Sequence, residues 1–235
     1  MRADKVDAVV LHSRAWRETS QILDLFSAEY GRVALVSRGS RSGKRGSTSL
    51  APFNLYQVSW SGRGELKNLT DSETRIQWQL QGERALCGLY LNELLCRLLL
   101  VEDPHPQLFA SYLGACDGLD RLIEEPAAIL RRFEISLLTE MGYAIALDLD
   151  ASGHEFLRDK RYRYQPELGW VITDETTSLA LLGSSLQALE TGQLPREAEE
   201  SRRLRQQLKQ LLDQLLDDRP LQSRELLLQY RLKKG

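Results

Sequence analysis

Gln21-Ile22-Leu23-Asp24-Leu25-Phe26-Ser27, then Tyr30-Gly31, then Arg32-Val33-Ala34-Leu35-Val36-Ser37 reads as two strands and the turn between them. The second run alternates basic or small residues with apolar ones, as a half-buried strand does. Outward from this pair, Val6 to Leu11 is a strongly apolar strand. Phe53 to Trp60 and Glu65 to Leu69 are two more, joined by the hairpin-like Ser61-Gly62-Arg63-Gly64. Five short strands this close together fit a small closed barrel better than an open sheet, whose edges would need covering. An oligonucleotide-binding (OB) barrel has that strand count.

From about residue 80 the period becomes helical. Leu86, Leu89, Tyr90, Glu93, Leu94 and Arg97 keep three- and four-residue spacing, until Asp103-Pro104-His105-Pro106 breaks the helix. A second helix is expected from Gln107 to Ile123. Glu124-Glu125-Pro126 opens a third, with Leu130, Phe133, Leu137, Leu138 and Met141 as its buried stripe. Leu179, Leu182, Leu186 and Leu189 predict another helix, and Leu204, Leu208, Leu211 and Leu215 one more. Between them, Arg161-Tyr162-Arg163-Tyr164 and Gly169-Trp170-Val171-Ile172 alternate like two paired strands. The expected fold class is α+β: an OB barrel over residues 1–80, then a helical domain over 81–235 with a β insertion at about 148–172.

The 235 residues are 42% hydrophobic and 27% charged, which suits a globular chain and excludes a disordered one. No apolar run is long enough to span a bilayer, and the charged N-terminus has no signal-peptide core. Three cysteines, an odd number in leucine-rich surroundings, argue for a reducing compartment, so a cytoplasmic location is expected. Through Leu80 the chain carries twelve Lys and Arg against eight Asp and Glu, whereas the remainder carries nineteen against twenty-five. A basic front on an acidic rear points to a polyanion partner for the front, or to ordinary surface variation.

Several chemistries are not encoded. Gly39-Ser40-Arg41-Ser42-Gly43-Lys44-Arg45 has too few residues between its glycines, and no Ser or Thr after the lysine, for a phosphate-binding P-loop. His12, His105 and His154 stand apart from nucleophiles and acids, and the cysteines lack the paired spacing of a zinc site. Asp148 and Asp150 would serve a metal-dependent nuclease, although two acids at a loop entrance are more often solvated. No catalytic constellation is visible, and neither enzyme activity nor a cofactor is expected.

Binding is better served. Arg38, Arg41, Lys44 and Arg45 lie on one Gly- and Ser-rich stretch without an acid, suited to a phosphate backbone. Arg14, Arg32, Arg63 and Lys67 would support them, and Trp16, Tyr30, Phe53, Tyr56 and Trp60 are the stacking candidates, most of them expected in the barrel core with one or two exposed. Nothing offers base-edge readout, so binding without sequence specificity is expected.

These segments together resemble the RecO family of bacterial recombination mediators along nearly the whole chain. The resemblance lies in Ala8-Val9-Val10-Leu11-His12-Ser13-Arg14, Glu18-Thr19-Ser20, Gly31-Arg32-Val33, Ser37-Arg38-Gly39-Ser40-Arg41, Ala51-Pro52-Phe53 and Gly62-Arg63-Gly64-Glu65-Leu66-Lys67. In the helical half it lies in Gly88-Leu89-Tyr90-Leu91-Asn92-Glu93-Leu94-Leu95, Leu130-Arg131-Arg132-Phe133-Glu134 and Pro220-Leu221-Gln222-Ser223-Arg224-Glu225-Leu226. It implies a non-enzymatic, nucleoid-associated protein of DNA repair that binds single- and double-stranded DNA and anneals complementary strands. It also implies help in loading RecA onto DNA coated by single-strand-binding protein (SSB), with RecR as a partner. Members often carry a four-cysteine zinc motif in the insertion. Here Asp148 to Val171 contains no cysteine, so Tyr162, Tyr164 and Trp170 are expected to hold the insertion by packing.

The family also takes the acidic, phenylalanine-ended SSB tail on its helical domain. Arg131 and Arg132, with Phe133 as apolar surface, are the residues expected to receive it. The alternative for the two arginines is a solvated or intrahelical pair with Glu134 or Glu125. Two rival functions remain at this point: an adaptor acting through its helical domain, and the nuclease built on Asp148 and Asp150.

Overall fold

The computed structural model describes residues 2–39, 49–122, 124–143, 147–174 and 179–234. Among the described residues five strands come first: β1 (Arg2–Trp16), β2 (Ser20–Ser27), β3 (Gly31–Ser37), β4 (Asn54–Ser61) and β5 (Leu66–Gln77). They close in the order β1-β2-β3-β5-β4, every pair antiparallel except β3 with β5. This is the closed five-stranded barrel that the strand count anticipated.

β1 is longer than its apolar segment because two strands share it. β4 pairs with Arg2 to Val9 and β2 with Ala8 to Trp16. A register shift between Ala3 and Val6, where Lys5 has φ +51, lets the charged start of the strand join the sheet. β5 likewise runs on to Gln77, past the expected end at Leu69, because β4 offers partners along that length.

Ala8, Val10, Leu23, Leu25, Val33, Leu35, Val58 and Trp60 fill the barrel interior. Tyr30 meets the Trp60 ring edge-on at 5.1 Å. Val9, Leu11 and Phe26 are buried as well, and Phe26 packs edge-on against Phe109 at 5.4 Å. The Ala8–Leu11 run is therefore apolar on both faces rather than alternating.

Among the described residues six helices follow: α1 (Gly82–Leu98), α2 (Pro106–Arg121), α3 (Pro126–Glu140), α4 (Gly183–Glu190), α5 (Ala198–Leu215) and α6 (Gln222–Lys234). The small sheet is β6 (Arg161–Gln165), β7 (Gly169–Ile172) and β8 (Leu181–Leu182), in the order β7-β6-β8. Among the described residues no helix is long and apolar enough to cross a membrane. The chain divides into two compact units, one of residues up to Pro126 with Leu221 onward, the other of Ala127–Pro220.

In the first unit α1 and α2 cover the barrel. Asn92 donates to the Leu11 carbonyl at 2.9 Å and accepts from the Tyr112 hydroxyl at 2.6 Å, so a buried polar chain joins β1, α1 and α2. α6 returns to lie along α1. Its first amides, Gln222 and Ser223, donate to the Glu93 carboxylate at 3.1 and 2.9 Å.

In the second unit Tyr164 packs on its cross-strand partner Trp170 and Tyr162 on Phe156, edge to face at 5.4 and 4.9 Å. The three expected aromatics are thus the packing of the insertion. Buried Glu200 accepts from Arg161 at 3.0 Å, the Leu182 amide at 2.9 Å and the Ser185 hydroxyl at 3.0 Å, joining β6, β8, α4 and α5. The helix expected from Leu179 begins only at Gly183, because Leu181 and Leu182 pair with Tyr162 and Arg161 as a strand.

Candidate nucleic-acid interface

The cations of the first unit separate by register. Arg14 lies on β1 opposite Ile22 and is exposed. Two residues on, Trp16 faces Ser20 where the β1–β2 hairpin closes through Arg17, Glu18 and Thr19, all exposed. Gln21 faces Ser37 across β2 and β3, and exposed Arg38 follows directly. One end of the barrel thus carries Arg14, Arg17 and Arg38, with Glu18 as the acid at the same turn. Arg63 is exposed too, but it follows Ser61, the partner of Arg2 at the opposite end of β1. Arg41, Lys44 and Arg45 lie outside the described residues.

Two expected phosphate ligands are otherwise engaged. Lys67 is 1% exposed, and its ammonium pairs with Glu102. A desolvated, paired ammonium does not face a solvent-borne phosphate, which corrects its assignment. Arg32 donates from Nη1 to the Cys96 carbonyl in the last turn of α1, where a cation suits the negative helix end. Its backbone carbonyl also accepts from the Glu102 amide at 2.8 Å. Arg32 is therefore a clasp between β3 and α1 rather than a surface cation.

The aromatics sort as sharply. Trp60 is wholly buried. Tyr56 is interior, hydrogen-bonded to Ala51, with burial pushing its phenol up from its ordinary value. Tyr30 and Phe53 are half-buried, and only Trp16 among the five is substantially exposed, at 41%. Arg17 was missed by sequence reasoning. Its signal is its place beside a tryptophan in the turn that separates two strands.

On α3, in the second unit, Phe133 is buried within the stripe of Leu130, Leu137 and Leu138. It cannot provide apolar surface for a tail, because its ring is already spent on the interior. Arg131 donates to buried Glu134 at 2.6 Å, the intrahelical pairing held open above, and Arg132 is half-buried. The Asp150 carboxylate accepts from the Ser152 and His154 amides at 2.8 and 3.0 Å, so it is committed to its own turn. Among the described residues no three His, Cys, Asp or Glu side chains gather as metal ligands would.

A family described as Recombination protein O N terminal matches residues 1–77, and one described as Recombination protein O C terminal matches residues 79–225. The DNA repair protein RecO of Erwinia tasmaniensis is 38% identical over 231 residues, 97% of this chain and 94% of the relative. That of Halorhodospira halophila is 41% identical over 230 residues, 93% of this chain and 94% of the relative. That of Methylococcus capsulatus is 40% identical over 228 residues, 93% and 90%.

Proposed function

The chain belongs to the RecO family, and from that premise we propose that it acts in DNA repair and recombination as a mediator without catalysis of its own. It binds single- and double-stranded DNA without sequence specificity and anneals complementary strands. It also helps RecA load where SSB coats the strand, with RecR as a protein partner. The observation that carries this reading is the exposure of Arg14, on β1, and of Arg38, directly after β3, at one end of a closed barrel. Side chains so placed neutralise successive phosphates and release counterions, which gives affinity without readout of bases. Arg63 extends the contact toward the other end of β1. Arg41, Lys44 and Arg45 keep their proposed phosphate role. The SSB tail is taken by the helical domain through Arg131 and Arg132, without Phe133.

The test is fluorescence anisotropy with a labelled oligonucleotide across salt concentrations, followed by annealing of SSB-coated strands. Arg14→Ala and Arg38→Ala are each expected to flatten the salt slope by about 1. Lys67→Met should leave the slope unchanged. No binding at low salt would move the function to protein contacts.

A further inference from the structure

Of the four tryptophans, Trp60, Trp78 and Trp170 are 0%, 5% and 2% exposed, whereas Trp16 is 41% exposed. Trp16 ends β1 opposite Ser20, at a turn whose residues are all exposed. Burial would be the usual fate of so large an apolar ring. Arg14 precedes it by two, the spacing that sets both side chains on one face of the strand. Arg17 follows with φ +52, a left-handed conformation uncommon for a residue with a Cβ, which turns the chain immediately beyond the ring. Arg38 continues the row begun by Gln21 and Ser37. A part-exposed indole thus shares one end of the barrel with Arg14, Arg17 and Arg38, and with one carboxylate in the same turn, that of Glu18.

We propose that Trp16 is a base-stacking platform that gives this end of the barrel a preference for single-stranded over duplex DNA, with Arg14, Arg17 and Arg38 taking the flanking phosphates. This role rests on the DNA-binding reading above and adds the element that separates strand types. Every base has a π face, so stacking is tolerant of sequence, but only an unpaired strand can turn that face outward. Bases in a duplex already stack on one another, which leaves a duplex the phosphate contacts alone. A tryptophan that shares its end of the barrel with cations therefore discriminates by strand state and not by base identity.

The ring is also its own reporter, because the other three indoles are buried. Full-length wild type, Trp16→Ala and Trp16→Phe are titrated at low salt with a dT oligonucleotide and with a duplex of the same length. Wild-type emission should be quenched by the dT oligonucleotide, and both variants should lose that quenching. Trp16→Ala should lose about 5- to 150-fold in single-strand affinity, the worth of one stacked base, and keep its duplex affinity. Trp16→Phe, which retains a ring, should keep most of the single-strand affinity. Unquenched wild-type emission with unchanged Trp16→Ala affinity would overturn the proposal. So would an equal loss toward both strand types, which would make the residue a support of the hairpin. If wild type binds neither DNA, the DNA-binding reading falls as well. If it binds both and Trp16→Ala is neutral, only the stacking platform falls.

Discussion

At Gly31 the chain enters β3 with φ +62, and a Cβ there would stand 1.9 Å from the Asp103 carbonyl oxygen. The Val101–Asp103 connection is pressed onto β3 at this point, bridged at Arg32 and Val101 and tied by the Lys67–Glu102 pair. Gly31→Ala combines a left-handed conformation with overpacking against backbone, and should cost about 2–5 kcal/mol. Gly39, at φ +70, has nothing within 4 Å of its added Cβ. Gly39→Ala should accordingly cost only about 1–2 kcal/mol, the conformational part alone. Urea unfolding midpoints of the two variants measure the difference. The same residues mark the limit of reading side chains singly. Charge alone made Lys67 and Arg32 look like phosphate ligands, because Glu102 lies 35 residues from the one and the Cys96 carbonyl 64 from the other. Phe133 was legible as core, since its stripe has helical spacing, and for that reason was a poor choice for a surface. Arg14 and Arg38 are exposed among the described residues, as a surface role requires.

Among the elements, α6 went unread because what starts it is not local. Its first amides and the Ser223 hydroxyl donate to Glu93, on a helix about 130 residues earlier. Burial pushes the Glu93 carboxyl up. The Ser223 hydroxyl and amide, the Gln222 amide and Arg97 together outweigh it, and hold the group below the usual carboxylate range. A depressed native pKa contributes stability above the unfolded value, about 4.3, and that stability is lost as pH falls through the native pKa. The protection of amides 222–234, taken against their intrinsic exchange at each pH, should therefore fall below about pH 4 in wild type. Glu93→Gln should loosen α6 by about 1 kcal/mol at neutral pH and remove the acid response. Exchange that is insensitive to both would dissociate the carboxylate from the helix. The insertion was legible in Arg161–Tyr164 and Gly169–Ile172 because alternation needs only four or five residues to show. Leu181-Leu182 is too short for any period, so its leucines were absorbed into the helix that follows.

For the molecule as a whole, the change of period near residue 80 marks where strands give way to helices. The compact units divide elsewhere, at Pro126 and Leu221, because barrel, α1, α2 and α6 are bound by contacts no local pattern records. All three cysteines belong to the first unit. Burial, reinforced by Asp24 and eased by Arg32, pushes the Cys96 thiol up to about 12, and burial does the same for Cys116 against the Tyr112 hydrogen bond. Native protein at pH 8 should react slowly with a disulfide reagent, since the thiolate is the reacting form. Deleting residues 221–235 should speed that reaction about tenfold by weakening the first unit, a loss of about 1.4 kcal/mol. The return of α6 also sets an order in time. Ribosomes add about 5–20 residues per second, so Glu93 waits roughly 6–26 s for Gln222, 129 residues later. The second unit, contiguous from Ala127 to Pro220, has its whole sequence in hand before that wait ends. The first unit, whose strands emerge earliest, is the last to be completed during synthesis.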